Sequence, residues 1–270
     1  MVRLVTLAAT AAAMLCAGAA LAADPASRSA TLSAANARID GMAATVEVIV
    51  EDRRDVQFTW SGSRRWVDAV QSRVDGDTAV LAAPSNMSGG GSTTVVANNV
   101  TVYATEGSSA SVTIGGDRAA TSGGDTTPRR VELRLPRSGD LGLLGLTGGC
   151  RVGAVGGKMV LRLSAGQCTI AGLGKGGELG VAGSGDISVA DARGDLDVAI
   201  DGNGVVRVNK AQLGQLRVRI AGSGDVSVDG RARSADLSIA GAANIRVAHV
   251  DEQPRRSLAG AGMIAVGNWP

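Results

Sequence analysis

Val181-Ala-Gly-Ser-Gly-Asp-Ile-Ser-Val189 and Ile220-Ala-Gly-Ser-Gly-Asp-Val-Ser-Val228 are near copies of one nine-residue phrase. Three looser copies end at Val208, Val247 and Val266: Gly202-Asn-Gly-Val-Val-Arg-Val208, Gly241-Ala-Ala-Asn-Ile-Arg-Val247 and Gly260-Ala-Gly-Met-Ile-Ala-Val266. Two degenerate copies precede them, ending at Val152 and Ile170. The seven last residues are 18, 19, 19, 20, 19 and 19 positions apart. A period this steady marks a repeat architecture.

The unit has an internal order. An alternating run such as Asp195-Leu-Asp-Val-Ala-Ile200 or Gln215-Leu-Arg-Val-Arg-Ile220 leads into the glycine-rich corner. A short second strand follows, such as Ile187-Ser188-Val189, and a glycine-bearing turn closes the coil. Period-two alternation puts Leu196, Val198, Ile200, Val206, Val208 and Val218 on an inner face. Gly183, Gly185, Gly222 and Gly224 supply the corners, and Asp186, Asp225 and Asn244 hydrogen-bond within them. One coil cannot bury its apolar face alone, so the coils must stack. At a strand spacing of about 4.8 Å, six steps make a column of about 29 Å. A helical solenoid is disfavoured by the glycine spacing and the β-branched alternation.

Working towards the N-terminus, Val131-Glu-Leu-Arg-Leu135 reads as a strand. Before it, residues 84–128 are rich in Ser, Gly and Thr and are expected to form long loops, with strand-like islands at Val100–Val102 and Val112–Ile114. Asp75-Gly76 reads as a hairpin turn. Val46, Val48 and Val50 alternate, as do Val56, Phe58 and Trp60, so two further strands are expected. Residues 23–38 are small and polar and read as a flexible leader. Residues 1–22 have a basic start, an apolar run from Leu4 to about Ala19 and an Ala20-Leu21-Ala22 end, the pattern of a secretory signal. Cleavage is expected after Ala22 or Ala23, and Leu15 before Cys16 argues against lipidation. No later run is apolar enough to span a bilayer as a helix.

Aromatic residues make up only 2% of the chain, so the core must be built from Val, Leu, Ile and Ala. The net charge of +2 falls to +1 without Arg3, which gives no reason to expect nucleic acid or an acidic membrane as partner. The expected class is all-β: a parallel β-helix of about seven 19-residue coils over residues 136–270, preceded by additional strands over 39–135, the whole of 39–270 forming one domain.

The corner phrases at Val181–Val189 and Ile220–Val228 resemble the head GIN domain family of auto-transporter adhesin heads. Val131-Glu-Leu-Arg-Leu-Pro136, running on into Leu141-Gly-Leu-Leu-Gly-Leu146, is similar to the family's approach to its repeats. The resemblance covers roughly Ile39 to Gly267. It implies a right-handed β-helix on an exported bacterial envelope protein, and it carries over no catalytic residue. The Ser/Gly/Thr-rich insertion departs from the family pattern. No translocator barrel follows the repeats before Pro270, so a complete autotransporter is not expected.

The Gly-Ser-Gly-Asp corners differ from calcium-binding β-rolls, whose repeat is nine residues; Asp186 and Asp225 lie two coils apart with Val205 between them, so a structural role is expected and no metal. Asp195, Asp197 and Asp201, near Arg207, Arg217 and Arg219, are the residues a polysaccharide lyase or hydrolase would draw on. Cross-strand ion pairing accounts for them as well, and no catalytic residue or cofactor is expected. His249, the single histidine, is expected in an exposed turn. Trp60 and Trp66 offer a sugar platform or core packing, and packing is favoured because Trp60 shares a face with Phe58. Trp269 is placed to cover the last coil. Cys150 and Cys168 fall one coil apart at equivalent positions, within reach of a disulfide or as a stacked thiol pair. The functional expectation is a non-enzymatic binding, adhesion or structural protein of the periplasm, outer surface or medium, whose partner is an envelope or cell-surface glycan or protein. The alternative is an enzyme acting on polysaccharide.

Overall fold

The computed structural model describes residues 25–83, 93–97, 100–104, 112–114, 117–119 and 127–267. The signal segment, most of the Ser/Gly/Thr-rich stretch and Trp269 lie outside the described residues. In chain order the elements are β1 (Pro25–Leu32), β2 (Asn36–Asp40), β3 (Thr45–Glu51), β4 (Val56–Ser63), α1 (Arg64–Ala69), β5 (Gln71–Asp75) and β6 (Thr78–Ala82). Two small antiparallel pairs follow, β7 (Thr93–Ala97) with β8 (Val100–Ala104), and β9 (Val112–Ile114) with β10 (Asp117–Ala119). Next come β11 (Arg130–Pro136), β12 (Leu141–Val155), β13 (Met159–Leu173), β14 (Gly176–Val189) and β15 (Ala192–Gly222). The chain ends on β16 (Asp225–Gly241), β17 (Asn244–Val250), β18 (Arg255–Gly260) and β19 (Met263–Val266).

The long strands β12 to β16 are coils of a β-solenoid, each wrapping a corner and pairing in parallel with the next. The seven repeat ends stack in the order read from the sequence: Val152, Ile170, Val189, Val208, Val228, Val247 and Val266 are successive ladder partners. Beside them runs Cys150, Cys168, Ile187, Val206, Val226, Ile245 and Ile264. Small length differences are absorbed locally. Val208 pairs with Val228 but Ala211 with Gly230, so the twenty-residue spacing returns to nineteen through an irregularity at residues 209–210.

The stack begins one coil earlier than the repeats suggest. Cys150 and Val152 pair with Val46 and Val48, and Leu141 to Leu144 pair with Ala37 to Asp40. Strands β2 and β3 are thus a first coil. Residues 23–38, expected to be a flexible leader, are ordered from Pro25 onwards. Strand β1 pairs antiparallel with β4, and its Ala26, Ala30 and Leu32 pack on the core, so its small side chains fit a covered edge. The Asp75-Gly76 hairpin forms as read, joining β5 to β6 with Gly76 at φ +61°.

Helix α1 was not legible in the sequence. Ser63 caps it by accepting the Trp66 N–H, and it seats Trp66 and Val67 in the interior. There they meet Phe58 and Trp60, whose indole N–H donates to the Val67 carbonyl (3.1 Å). Few aromatics are present in the whole chain, and three of them close this end of the core.

Candidate functional site: the lateral faces of the coil stack

Each corner uses its two glycines differently. Gly222, the first of its pair, sits at φ +129°, and a Cβ there would come within 2.5 Å of the Gly202 carbonyl oxygen of the coil beneath. Gly183 repeats the conformation at φ +121°. The second glycines have ordinary φ. At Gly185 a Cβ would run into Leu163 Cδ2 (2.8 Å), and at Gly224 into the Gly204 carbonyl oxygen (2.7 Å). The first glycine turns the chain and the second lets the coils close up. Asp186, Val205, Asp225 and Asn244 then follow as ladder partners, so the two aspartates are two coils apart as expected. Asp225 Oδ1 accepts the Asn244 side-chain amide (2.9 Å).

The corners orient two lateral faces. On the face after the corner, one outward column reads Arg151, Thr169, Ser188, Arg207, Ser227, Arg246 and Ala265. Three hydroxyls and three guanidinium groups share it with Ala265, and Arg151, Arg207 and Arg246 form no ion pair among the described residues. A depression of about 400 Å³ opens beside Arg207, Asp225, Ser227, Asn244, Arg246 and Met263.

The face before the corner is laced with ion pairs. Glu178 and Asp197 stand on neighbouring strands. Arg162 binds Glu178 (2.7 Å), and Asp197 lies 3.7 Å from Arg217 and 3.5 Å from Arg219. Arg217 also reaches Asp236 at 3.9 Å. The Gln215 backbone N–H donates to Asp195 Oδ1 (2.8 Å). The other oxygen of Asp197, Oδ1, is buried without a hydrogen-bond partner. A cleft of about 320 Å³ includes Lys158, Lys175, Glu178, Asp195, Asp197 and Arg217. Of the residues singled out for polysaccharide chemistry, Asp195, Asp197, Arg217 and Arg219 come together, Asp201 is exposed at a corner, and Arg207 belongs to the other face. Asp195 and Asp197 are held by a backbone amide and by guanidinium groups, as cross-strand pairing requires.

His249 lies in strand β17 and not in a turn, because its register against Arg231 continues the ladder. Its Nε2 is 3.0 Å from Asp251 Oδ1, to which Arg231 Nε also donates (2.6 Å). These bonds, the Arg231 contact foremost, hold the Asp251 carboxyl below the usual carboxylate range. Trp60 and Trp66 are only 2% and 1% exposed, so neither offers a sugar platform. Cys150 and Cys168 are ladder partners with Cα atoms 4.4 Å apart and their sulfurs joined. Among the described residues no helix is long and apolar enough to cross a membrane.

The glycine corners that order these faces fall within a recognised sequence pattern. Residues 175–267 match the family described as "Putative auto-transporter adhesin, head GIN domain". The head GIN match takes in β14 to β19 and leaves the earlier coils outside it. Among solved structures, a "putative adhesin" from Bacteroides fragilis is similar in fold, with a TM-score of 0.62 at 13% identity over 90% of this chain and 97% of that one. A "putative lipid binding protein" from Parabacteroides distasonis aligns with a TM-score of 0.46 at 16% identity, over 90% and 97% of the two chains. A "putative adhesin" from Parabacteroides merdae gives 0.45 at 11%, over 90% and 96%. At 13% identity the Bacteroides fragilis structure speaks for the fold of the coils and of the strands before them, and for nothing finer. No curated protein sequence matches the chain.

Proposed function

We propose that the protein is an exported component of the bacterial envelope whose coil stack is a rigid, non-enzymatic surface for binding or adhesion. The observation that carries this reading is the Arg151–Arg246 column, a flat file of hydroxyl and guanidinium groups that the fold does not use internally. Guanidinium forks and hydroxyls in fixed register suit the hydroxyl, carboxylate and phosphate groups of an envelope glycan, or a polar protein surface. Residues 1–22 read as the export signal, and cleavage after Ala22 or Ala23 would leave β1 whole from Pro25. The head GIN match over 175–267 fits an adhesion role.

The test is binding of the mature protein to arrayed glycans and to solubilised envelope fractions. Retention on one of these is expected, with at least a tenfold loss, about 1.4 kcal/mol, in Arg207→Ala/Arg246→Ala. Binding untouched by that pair would remove the column from the account. Shortened polysaccharide products that disappear in Asp197→Asn would replace the proposal with the enzyme reading. N-terminal sequencing of the cell-free or periplasmic form is expected to begin at Ala23 or Asp24, and an intact Met1 would refute export.

A further inference from the structure

The turn that closes a coil shortens along the stack. Val208, Val228 and Val247 form one continuous ladder row, and Gln212, Arg231 and His249 form the next. To pass from the first row to the second the chain takes four residues after Val208, three after Val228 and two after Val247. The widest of these turns belongs to the twenty-residue step and carries Asn209 and Lys210, both exposed. An extra residue in one strand re-aims a side chain and bends the sheet beside it. A turn that projects beyond its narrower neighbours leaves a shoulder, and a cavity of about 910 Å³ lies there. Small-molecule sites span roughly 300–1,000 Å³. Its lining is mixed. Ala211 and Leu213, both buried, give it an apolar wall. Lys210 reaches it with no ion pair among the described residues. Asp251 is fixed through Oδ1 by Arg231 and His249, and among the described residues its Oδ2 accepts no hydrogen bond. The same two partners hold its carboxyl low, so near neutral pH it is ionised and can only accept. Asp191, which accepts from Arg193, adds a second carboxylate.

We propose that this shoulder binds a sugar acid, a hydroxyl-bearing ring with one carboxylate. Lys210 supplies a compact cation on a flexible stem for the carboxylate. Asp191 and Asp251 accept hydroxyl hydrogens from the ring, and the Gln212 amide both donates and accepts. Leu213 and Ala211 suit the C–H face of the ring, as apolar walls do in small-molecule sites. The mixture of signs selects this class. A bare anion would meet two carboxylates and bring them no donor, and a neutral sugar would leave Lys210 unmatched. The inference stands apart from the arginine column, because Arg151, Arg207 and Arg246 do not line this cavity.

His249 is the single histidine of the chain, so in tag-free mature protein one set of imidazole proton signals reports on the shoulder. Titration at fixed pH with galacturonate, and with a galacturonate trisaccharide, is expected to move those signals saturably. Tighter binding of the trisaccharide assigns the site to a unit of an acidic glycan, and tighter binding of the monosaccharide assigns it to a free sugar acid; either supports the proposal. Lys210→Ala, an exposed turn substitution, is expected to weaken binding by roughly tenfold, the worth of one hydrogen bond to a charged group. Arg207→Ala/Arg246→Ala is expected to leave it unchanged, which separates failure here from failure of the arginine column. Signals that stay fixed through the millimolar range overturn the proposal. An equal response to methyl glucoside removes the need for a carboxylate and overturns it, as an equal response to acetate does by removing the ring. Wild-type affinity in Lys210→Ala overturns it as well.

Discussion

Val218 and Asp225 lie on opposite sides of one corner and test what each side contributes. Val218 is fully buried, and Val218→Ala removes two methyl groups from a packed column, for about 1–3 kcal/mol. Asp225→Ala removes an exposed hydrogen bond to Asn244 and is expected to lose no more than about 1 kcal/mol. Gly222→Ala exceeds Asp225→Ala: the left-handed conformation alone costs an L-residue about 1–2 kcal/mol, and the new methyl meets the carbonyl of the coil beneath. Urea midpoints rank the three, and an Asp225 variant as weak as the Val218 variant would reverse the inward assignment. Asp251 adds a pH signature. Its carboxyl is held low in the folded protein by Arg231 and His249. Its stabilising share is therefore present above the ordinary carboxylate range and is lost as pH falls through the lowered folded value. Asp251→Asn is expected to narrow the stability gap between neutral and acidic solution, measured as melting temperature across that range.

At the scale of the element, the Cys150–Cys168 bond ties β12 to β13 across an interval of 18 residues. The chain-entropy account gives about 3 kcal/mol for a loop of this size. Cys150→Ala/Cys168→Ala is expected to lose about that much on urea denaturation, and reductant is expected to lower the wild type but not the variant. Titration of the unfolded, non-reduced protein is expected to find neither thiol. The register behind this pairing was readable because the repeat is local: a glycine corner, two alternating strands and a fixed step say which residues are neighbours. The N-terminal third had no such step. Strand β1 looked like a leader because Ser and Ala dominate it, and only its place against β4 gives those small side chains a role. Helix α1 is a six-residue segment with no apolar periodicity to read, held by a Ser63 cap and by the burial of Trp66.

At the scale of the molecule, the stack separates a face spent on its own ion pairs from a face whose arginines remain outward. The acidic cluster was legible as neighbours, since Asp197, Arg217 and Arg219 repeat in register. The arginine column follows from the same period, since Arg151, Arg207 and Arg246 each stand one residue before a repeat end; what the sequence did not show is that these three make no ion pair among the described residues. The pairing of β3 with β11 sets the order in which the molecule can be assembled. From β12 onwards coil-to-coil contacts join residues 17 to 20 positions apart, whereas Thr45 meets Arg130 across 85 and Val46 meets Cys150 across 104. In a chain delivered N-terminus first, β3 and β4 keep their apolar sides open until β11 arrives. Once that closure is made, each further coil adds against a finished template over a short contact distance. The rate of folding is then governed by one long loop closure, whose entropy grows only by about 0.6 kcal/mol per doubling of its length. Such a chain can gain or lose coils over evolutionary time with little change in the speed at which it folds.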